Sequence, residues 1–206
     1  MRYLACTHDQ GITLAWSCPV HDAGTDAKQL ITWTDASFAG FSTRSQTGVV
    51  IAWAGSVILW RSSRQTSSAL STCEAEVSAA ATGWQIVEGL MALLNEWSCE
   101  LSPPLLLIDN KSAVRVAELG GTWRTRYFAV RAARVAEESG AGRVELRYCP
   151  TNEMAADALT KTAAATVIAK LRALCDGDLP QIPDASQCYK YADASTWWGK
   201  DSRPTS

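Results

Sequence analysis

Between Leu30 and Leu94 the apolar period of this chain changes once, from alternation along short segments to the three- and four-residue spacing of a long helix. That change limits the chain to folds in which a sheet forms first and a helix then covers it. Leu30 to Thr34 alternates apolar and β-branched residues and ends in Asp35-Ala36-Ser37, the pattern of a first strand. Gly48 to Trp53 and Ser56 to Trp60 are two more, joined by Ala54-Gly55, a connection short enough for a hairpin. Cys73, Val77, Ala80, Trp84, Val87, Met91 and Leu94 then form the stripe of an amphipathic helix. Ser71-Thr72-Cys73-Glu74 fits the capping box that opens such a helix.

Pro103 and Pro104 precede Leu105 to Ile108, a continuous apolar run suited to a strand buried on both faces, which stops at Asp109. A short helix (Lys111 to Glu118), a basic helix (about Arg124 to Ser139), an alternating strand (Val144 to Tyr148) and a last helix from Asn152 onward complete the order βββαβααβα. Residues 17–28, rich in Ser, Pro, Asp, Gly and Lys, read as a linker between a short piece, 1–16, and a domain over 29–175. Residues 176–206 read as a mostly irregular tail.

Composition narrows function by exclusion. Of the 206 residues 47% are apolar and 19% charged, globular values, and no uninterrupted apolar run is long enough to span a bilayer, so no membrane partner is expected. A formal net charge of -2 means that any nucleic-acid binding must rest on a local basic patch. Seven cysteines without a CxxC pair, and two histidines (His8 and His21) without cysteine pairs at zinc spacing, point to reduced thiols rather than a zinc site. The segment Met1-Arg2-Tyr3-Leu4 has no features of a secretion signal, and an intracellular setting is expected.

Four acids stand where elements end or begin: Asp35 after the first strand, Asp109 after the buried one, Glu76 beside the apolar stripe of the long helix, and Asp157 early in the last helix. If the two strands are neighbours, their ends converge where open α/β sheets carry their sites. A group of carboxylates without bases repels itself and calls for cations; oxygen-only ligands favour Mg²⁺ or Mn²⁺. Two such ions ~4 Å apart suit phosphodiester hydrolysis. Each acid also has a plainer reading. Asp35 can form a turn, Asp109-Asn110 can cap the next helix, and Asp157 suits the helix dipole; Glu74 is accounted for by the capping box.

Thr34-Asp35-Ala36-Ser37, Ala75-Glu76-Val77, Ile108-Asp109-Asn110 and Ala156-Asp157-Ala158-Leu159 resemble, in order and spacing, the four active-site signatures of ribonuclease H. More narrowly, Arg44-Ser45-Gln46-Thr47-Gly48, Trp60-Arg61-Ser62-Ser63-Arg64-Gln65, Leu70 to Glu76, Asp109 to Ala113, Arg124-Thr125-Arg126 and Ala156 to Lys161 are similar to the ribonuclease H region of copia-type LTR retrotransposon polyproteins, over roughly Leu30 to Leu171. The resemblance implies a ribonuclease H-like α/β fold, a mixed five-stranded sheet of three antiparallel strands then two parallel ones, flanked by helices. It implies an endonuclease that cuts the RNA strand of RNA·DNA hybrids during reverse transcription. Asp35, Glu76, Asp109 and Asp157 would hold two Mg²⁺ ions, replaceable by Mn²⁺, with Asp35 the shared ligand.

Arg2-Tyr3-Leu4, Thr7 and Gly11-Ile12 are similar to the end of the reverse-transcriptase portion, which would then be a partner in the same polyprotein. Where cellular and retroviral enzymes have a mobile histidine before the last acid, this chain has Tyr148-Cys149-Pro150-Thr151, as the copia-type pattern also lacks it.

Arg61 and Arg64 on one connection, and Arg124, Arg126, Arg131 and Arg134 along a helix, are candidates for phosphate contacts, with Ser62, Ser63, Gln65, Thr66 and Asn110 for phosphate or 2′-hydroxyl bonds. A solvated basic helix face is the alternative for any one arginine. Trp33, Trp53, Trp60 and Trp84 are expected in the core, and Trp123 against substrate. The rival from another class is a non-catalytic module of the same fold, which would not need all four acids; a transposase or integrase core would carry fewer acids at other spacings.

Overall fold

The computed structural model describes residues 28–38, 44–120, 125–161 and 165–183. Its five strands are β1 (Gln29–Ser37), β2 (Gln46–Trp53), β3 (Ser56–Arg64), β4 (Ser102–Ile108) and β5 (Glu145–Tyr148), in the sheet order β3-β2-β1-β4-β5. The first three pair antiparallel, and β4 and β5 are parallel to β1 and to β4 respectively, the mixed sheet expected. Between β2 and β3, Ala54 (φ 50°) and Gly55 (φ 82°) are both left-handed, as a two-residue hairpin matched to strand twist requires.

Four helices follow the pattern: α1 (Thr72–Glu96), α2 (Lys111–Leu119), α3 (Ala129–Gly140) and α4 (Ala165–Cys175). Helix α1 opens as the capping box demands. The Ser71 hydroxyl accepts from the Glu74 N–H at 3.1 Å, and the Glu74 carboxylate accepts from the Leu70 N–H, just ahead of the cap, at 2.8 Å. Helix α1 is long and apolar enough to cross a membrane, yet half of its most apolar window is buried within the fold, as in a core helix.

Alternation along the strands divides the core into two layers. Leu106 and Ile108 point with Leu30, Val49 and Ile51 toward Val77, Ala80, Trp84 and Val87 of α1 and toward Ala113, Ala132 and Val135 of α2 and α3. Leu105 and Leu107 point with Ile31, Trp33 and Val50 toward Cys149, Met154, Ala155, Ala156 and Leu174. Leu179 and Ile182, in the segment expected to be an irregular tail, pack against this second layer, and the Pro183 carbonyl accepts from the Arg147 guanidinium at 3.1 Å.

The structure corrects four expectations. The last helix does not begin at Asn152: two short 3-10 turns, Thr151–Glu153 and Ala155–Leu159, come first. The extended Met154 between them is drawn wholly into the core and breaks the helical run. The basic helix begins at Ala129, because Phe128 is anchored in the core with a non-helical backbone; Arg126 therefore precedes it. Strand β3 runs on to Arg64, so Arg61 and Arg64 lie on an edge strand and not in a connection. Trp33 and Trp84 are core residues, but Trp60, on the strand that forms the sheet edge among the described residues, is 52% exposed.

The linker, the 1–16 piece, Trp123 and Arg124 lie outside the described residues. The cysteines that are described, Cys73, Cys99, Cys149 and Cys175, are free thiols.

Candidate metal centre

Parallel pairing of β1 with β4 sets Thr34 beside Ile108, so Asp35, still in β1 and paired with Gly48 of β2, lies next to Asp109, which follows the end of β4. Glu76, one turn into α1, reaches the same end from the layer covered by helices. Its Oε1 accepts from the Ala36 N–H at 3.3 Å. One carboxylate oxygen from each of Asp35, Glu76 and Asp109 lies within 4.8 Å of the other two, a spacing suited to a shared metal ion.

Asp157 approaches from the opposite layer, in the second 3-10 turn. That turn is held from two sides. The Ser62 hydroxyl of β3 donates to the Leu159 carbonyl at 2.6 Å, and Gly48 of β2 lies so close that an added Cβ would meet the Ala156 carbonyl at 2.7 Å. Asp157 does not stand open: Lys161 Nζ donates to its Oδ1 at 2.6 Å, and the Thr160 hydroxyl donates to Asp35 Oδ2.

The electrostatics are those of an acidic cluster that Lys161 compensates only in part. Burial, reinforced by the charges of Asp109 and Asp35, pushes the Glu76 carboxyl up to about 9. Burial and the charges of Asp35 and Asp157 push Asp109 to about 6, and burial raises Asp35 against the opposing Thr160 hydrogen bond. Glu76 Oε2 is buried without a hydrogen-bond partner. A buried, partnerless carboxylate oxygen is costly unless a cation meets it, and an all-oxygen donor set matches hard divalent ions. The residues present therefore fit a divalent metal. Where a histidine might have been sought, the Thr151 hydroxyl donates to Asp109 Oδ2 at 3.3 Å.

The expected substrate contacts separate. Arg61, Ser62 and Arg64 are exposed on β3, where the Arg61 Nε donates to Ser63 Oγ at 3.2 Å. Arg126 lies with its guanidinium 5.0 Å from the Tyr127 ring centre. Gln65 is buried, its amide donating to Thr47 Oγ1 and to the Ala75 carbonyl at 3.0 and 2.8 Å. It ties β2 to the first turn of α1 and is not placed to meet a ligand. Asn110 caps α2, accepting from the Ser112 and Ala113 N–H groups at 3.0 and 3.1 Å. Arg131 reaches Ser78 and Ser67, and Arg134 is ion-paired to Glu88 and Glu138. Thr160 and Lys161 went unassigned in the sequence, although Asp157 and Lys161 have the four-residue spacing of an ion pair.

No family model matches the chain. In sequence it is similar to the Gag-Pol polyproteins of the transposons Ty1-JR2 and Ty1-ER2 of Saccharomyces cerevisiae, 27% identical over 164 residues, which are 78% of this chain and 9% of each polyprotein. In structure it is similar to LC11-RNase H1, isolated from compost by a metagenomic approach (TM-score 0.54, 17% identity, 68% of this chain and 99% of that one). It is also similar to LC11-RNase H1 in complex with an RNA/DNA hybrid (TM-score 0.50, 16% identity, 68% and 99%).

Proposed function

We propose that this chain, which has the ribonuclease H fold and is related in sequence to retrotransposon Gag-Pol polyproteins, is an endonuclease that hydrolyses the RNA strand of RNA·DNA hybrids. The observation that carries this reading is the convergence of Asp35, Glu76 and Asp109 at one sheet end, with a buried oxygen of Glu76 left without a partner. A structural acidic cluster would have its oxygens satisfied by protein donors.

Asp35, Glu76, Asp109 and Asp157 would hold two Mg²⁺ ions, or Mn²⁺ in their place, with Asp35 shared. The chemistry supplied by such ions when bound is activation of water and neutralisation of charge at the phosphodiester. The chain's own residues do the rest. The Ala36 N–H fixes Oε1 of Glu76 and leaves Oε2 buried without a protein donor, and Thr151 orients Asp109.

Arg61, Ser62 and Arg64 border the site along β3, and with Asn110, Arg124 and Arg126 they would contact the hybrid's phosphates and 2′-hydroxyls. Gln65 contributes by holding β2 against α1. The setting we propose is intracellular reverse transcription, with the reverse-transcriptase portion of a polyprotein as partner.

The test is an end-labelled RNA·DNA hybrid incubated with the purified chain and Mg²⁺, Mn²⁺ or chelator, beside Asp109→Asn and a duplex-DNA control. Cutting of RNA alone, dependent on metal and lost in the variant, is expected. A folded wild-type protein that cuts with neither ion overturns the reading.

A further inference from the structure

The reading above leaves one contact unused. Among the described residues, Asp157 alone of the four acids finds an ion-pair partner: Lys161 Nζ lies 2.6 Å from its Oδ1. The next residue back, Thr160, donates its hydroxyl to Asp35 Oδ2 and also to the Asp157 carbonyl at 3.2 Å. One dipeptide thus supplies donors to two of the four acids.

Its position is built in. It follows directly on the 3-10 turn that the Gly48 approach and the Ser62–Leu159 hydrogen bond fix against β2 and β3. Asp157 is buried while the Lys161 side chain is half exposed, so the ammonium meets a buried carboxylate while keeping contact with solvent.

We propose that Lys161 is a built-in counter-cation that competes with a divalent ion for Asp157, so that the site binds one ion tightly through Asp35, Glu76 and Asp109 and a second only by displacing the lysine. The inference rests on the metal-centre reading and deepens it: it assigns a residue that sets how much metal the second position needs.

The chemistry is symmetrical. An ammonium held at 2.6 Å on Oδ1 shares the charge of the Asp157 carboxylate, so a divalent ion approaching that group must compete with the lysine for it. In return the lysine neutralises part of the cluster when no metal is present, and burial of Asp35 and Asp109 is opposed in each case by its charge. Lys161 would therefore make the metal-free protein more stable and the fully loaded one harder to reach. It acts on binding through Asp157 and is a positioning residue.

The experiment compares wild type, Lys161→Met and Lys161→Arg by calorimetric titration with Mn²⁺ and Mg²⁺ and by thermal unfolding in chelator. For Lys161→Met the dissociation constant of the weaker ion should fall roughly two- to fivefold, the range of a partly exposed ion pair. That of the tighter ion should stay near wild type, and the unfolding midpoint in chelator should drop. Lys161→Arg should behave as wild type, because it keeps the charge. Equal metal affinities in wild type and Lys161→Met, with a second ion bound in both, overturn the proposal. A wild-type protein that binds no divalent ion overturns it together with the metal-centre reading. Metal binding that responds to Lys161→Met in a protein that cuts no hybrid leaves it standing and overturns the nuclease reading alone.

Discussion

Three of the four acids and the fourth reach the same place by different kinds of structure. Asp35, Glu76 and Asp109 stand on or directly after β1, α1 and β4, elements tied to one another by strand pairing and by the helix-covered core. Asp157 stands on a 3-10 turn whose Ala155 and Ala156 are buried in the second core layer and whose Leu159 carbonyl is bonded to Ser62, and it carries its own cation. The first three are fixed by the fold as a whole. The fourth is held by a single 3-10 turn on one core layer and not by strand pairing, so its position depends on fewer elements than that of the other three. In a metal-dependent nuclease this separates holding an ion from completing the reaction.

The sharpest way to break the comparison is to neutralise one acid from each group. Asp35→Asn removes the ligand at the centre of the converging trio and should reduce hybrid cleavage by ~10³-fold or more, the loss of several kcal/mol of charge stabilisation. Divalent-ion binding by calorimetry should vanish with it. Asp157→Asn should retain the tight ion and lose activity on the order of 10- to 100-fold, as removal of a supporting partner does. Equal losses of metal binding in both variants would mean that all four acids form one indivisible site.

Two glycines test the attachments themselves. Gly83, within α1, lies against β1 so closely that an added Cβ would sit 2.5 Å from Thr34 Cγ2. A helical Gly→Ala change ordinarily gains ~1 kcal/mol, but Thr34 is buried, β-branched and hydrogen-bonded to the Leu107 carbonyl, so it cannot yield. Gly83→Ala should instead destabilise the whole fold by about 1–3 kcal/mol, read from denaturant midpoints. Gly48→Ala pushes on the Ala156 carbonyl and should displace the turn that carries Asp157. Its global stability should fall less than that of Gly83→Ala, while cleavage falls toward the level of Asp157→Asn. If Gly48→Ala proved as unstable as Gly83→Ala, the position of the fourth acid would depend on as many elements as that of the other three.

The same division decides what can be read in the sequence. The trio was legible because each acid ends or edges a segment with a clean period: alternation up to Asp35, an apolar run up to Asp109, a helical stripe beside Glu76. Nothing in these cases depends on distant contacts. Around Asp157 the run Ala155-Ala156-Asp157-Ala158-Leu159 reads as helix by propensity. The fold overrides it by burying Met154 in an extended conformation and bringing Gly48 against the turn. The start of the basic helix moves for a similar reason, since Phe128 is taken by the core. The polar side chains that hold the fold, Gln65 through its amide and Asn110 through its Oδ1, carry donors and acceptors that suit a ligand or a backbone equally well. Only the neighbours decide between them.

The smallest effect concerns pH. In chelator Glu76 holds its proton up to about 9 and Asp109 up to about 6, well above their ordinary ranges, through burial first and neighbouring carboxylates second. An acid whose folded pKa is raised favours folding fully below its unfolded value, and this contribution is lost as pH climbs through the folded one. The metal-free thermal midpoint should therefore decline from about pH 5 to about pH 9. Acids held below their usual range by arginine, such as Glu138 beside Arg143 and Arg134, act in the opposite direction, but only as pH falls below that of ordinary carboxylates. Glu118, raised by burial on α2, adds to the decline from outside the cluster, so the cluster's share is the part that Glu76→Gln removes. Glu76→Gln should flatten the decline and make the chelated protein more stable than wild type at the alkaline end, while abolishing the rise that Mg²⁺ gives to wild type. Asp157→Asn should leave most of the decline in place, because the raised groups that cause it are the trio and Glu118. A midpoint that is level across this range in wild type would show that protein donors satisfy the cluster without metal, and the distinction between the fixed trio and the attached fourth acid would lose its electrostatic basis.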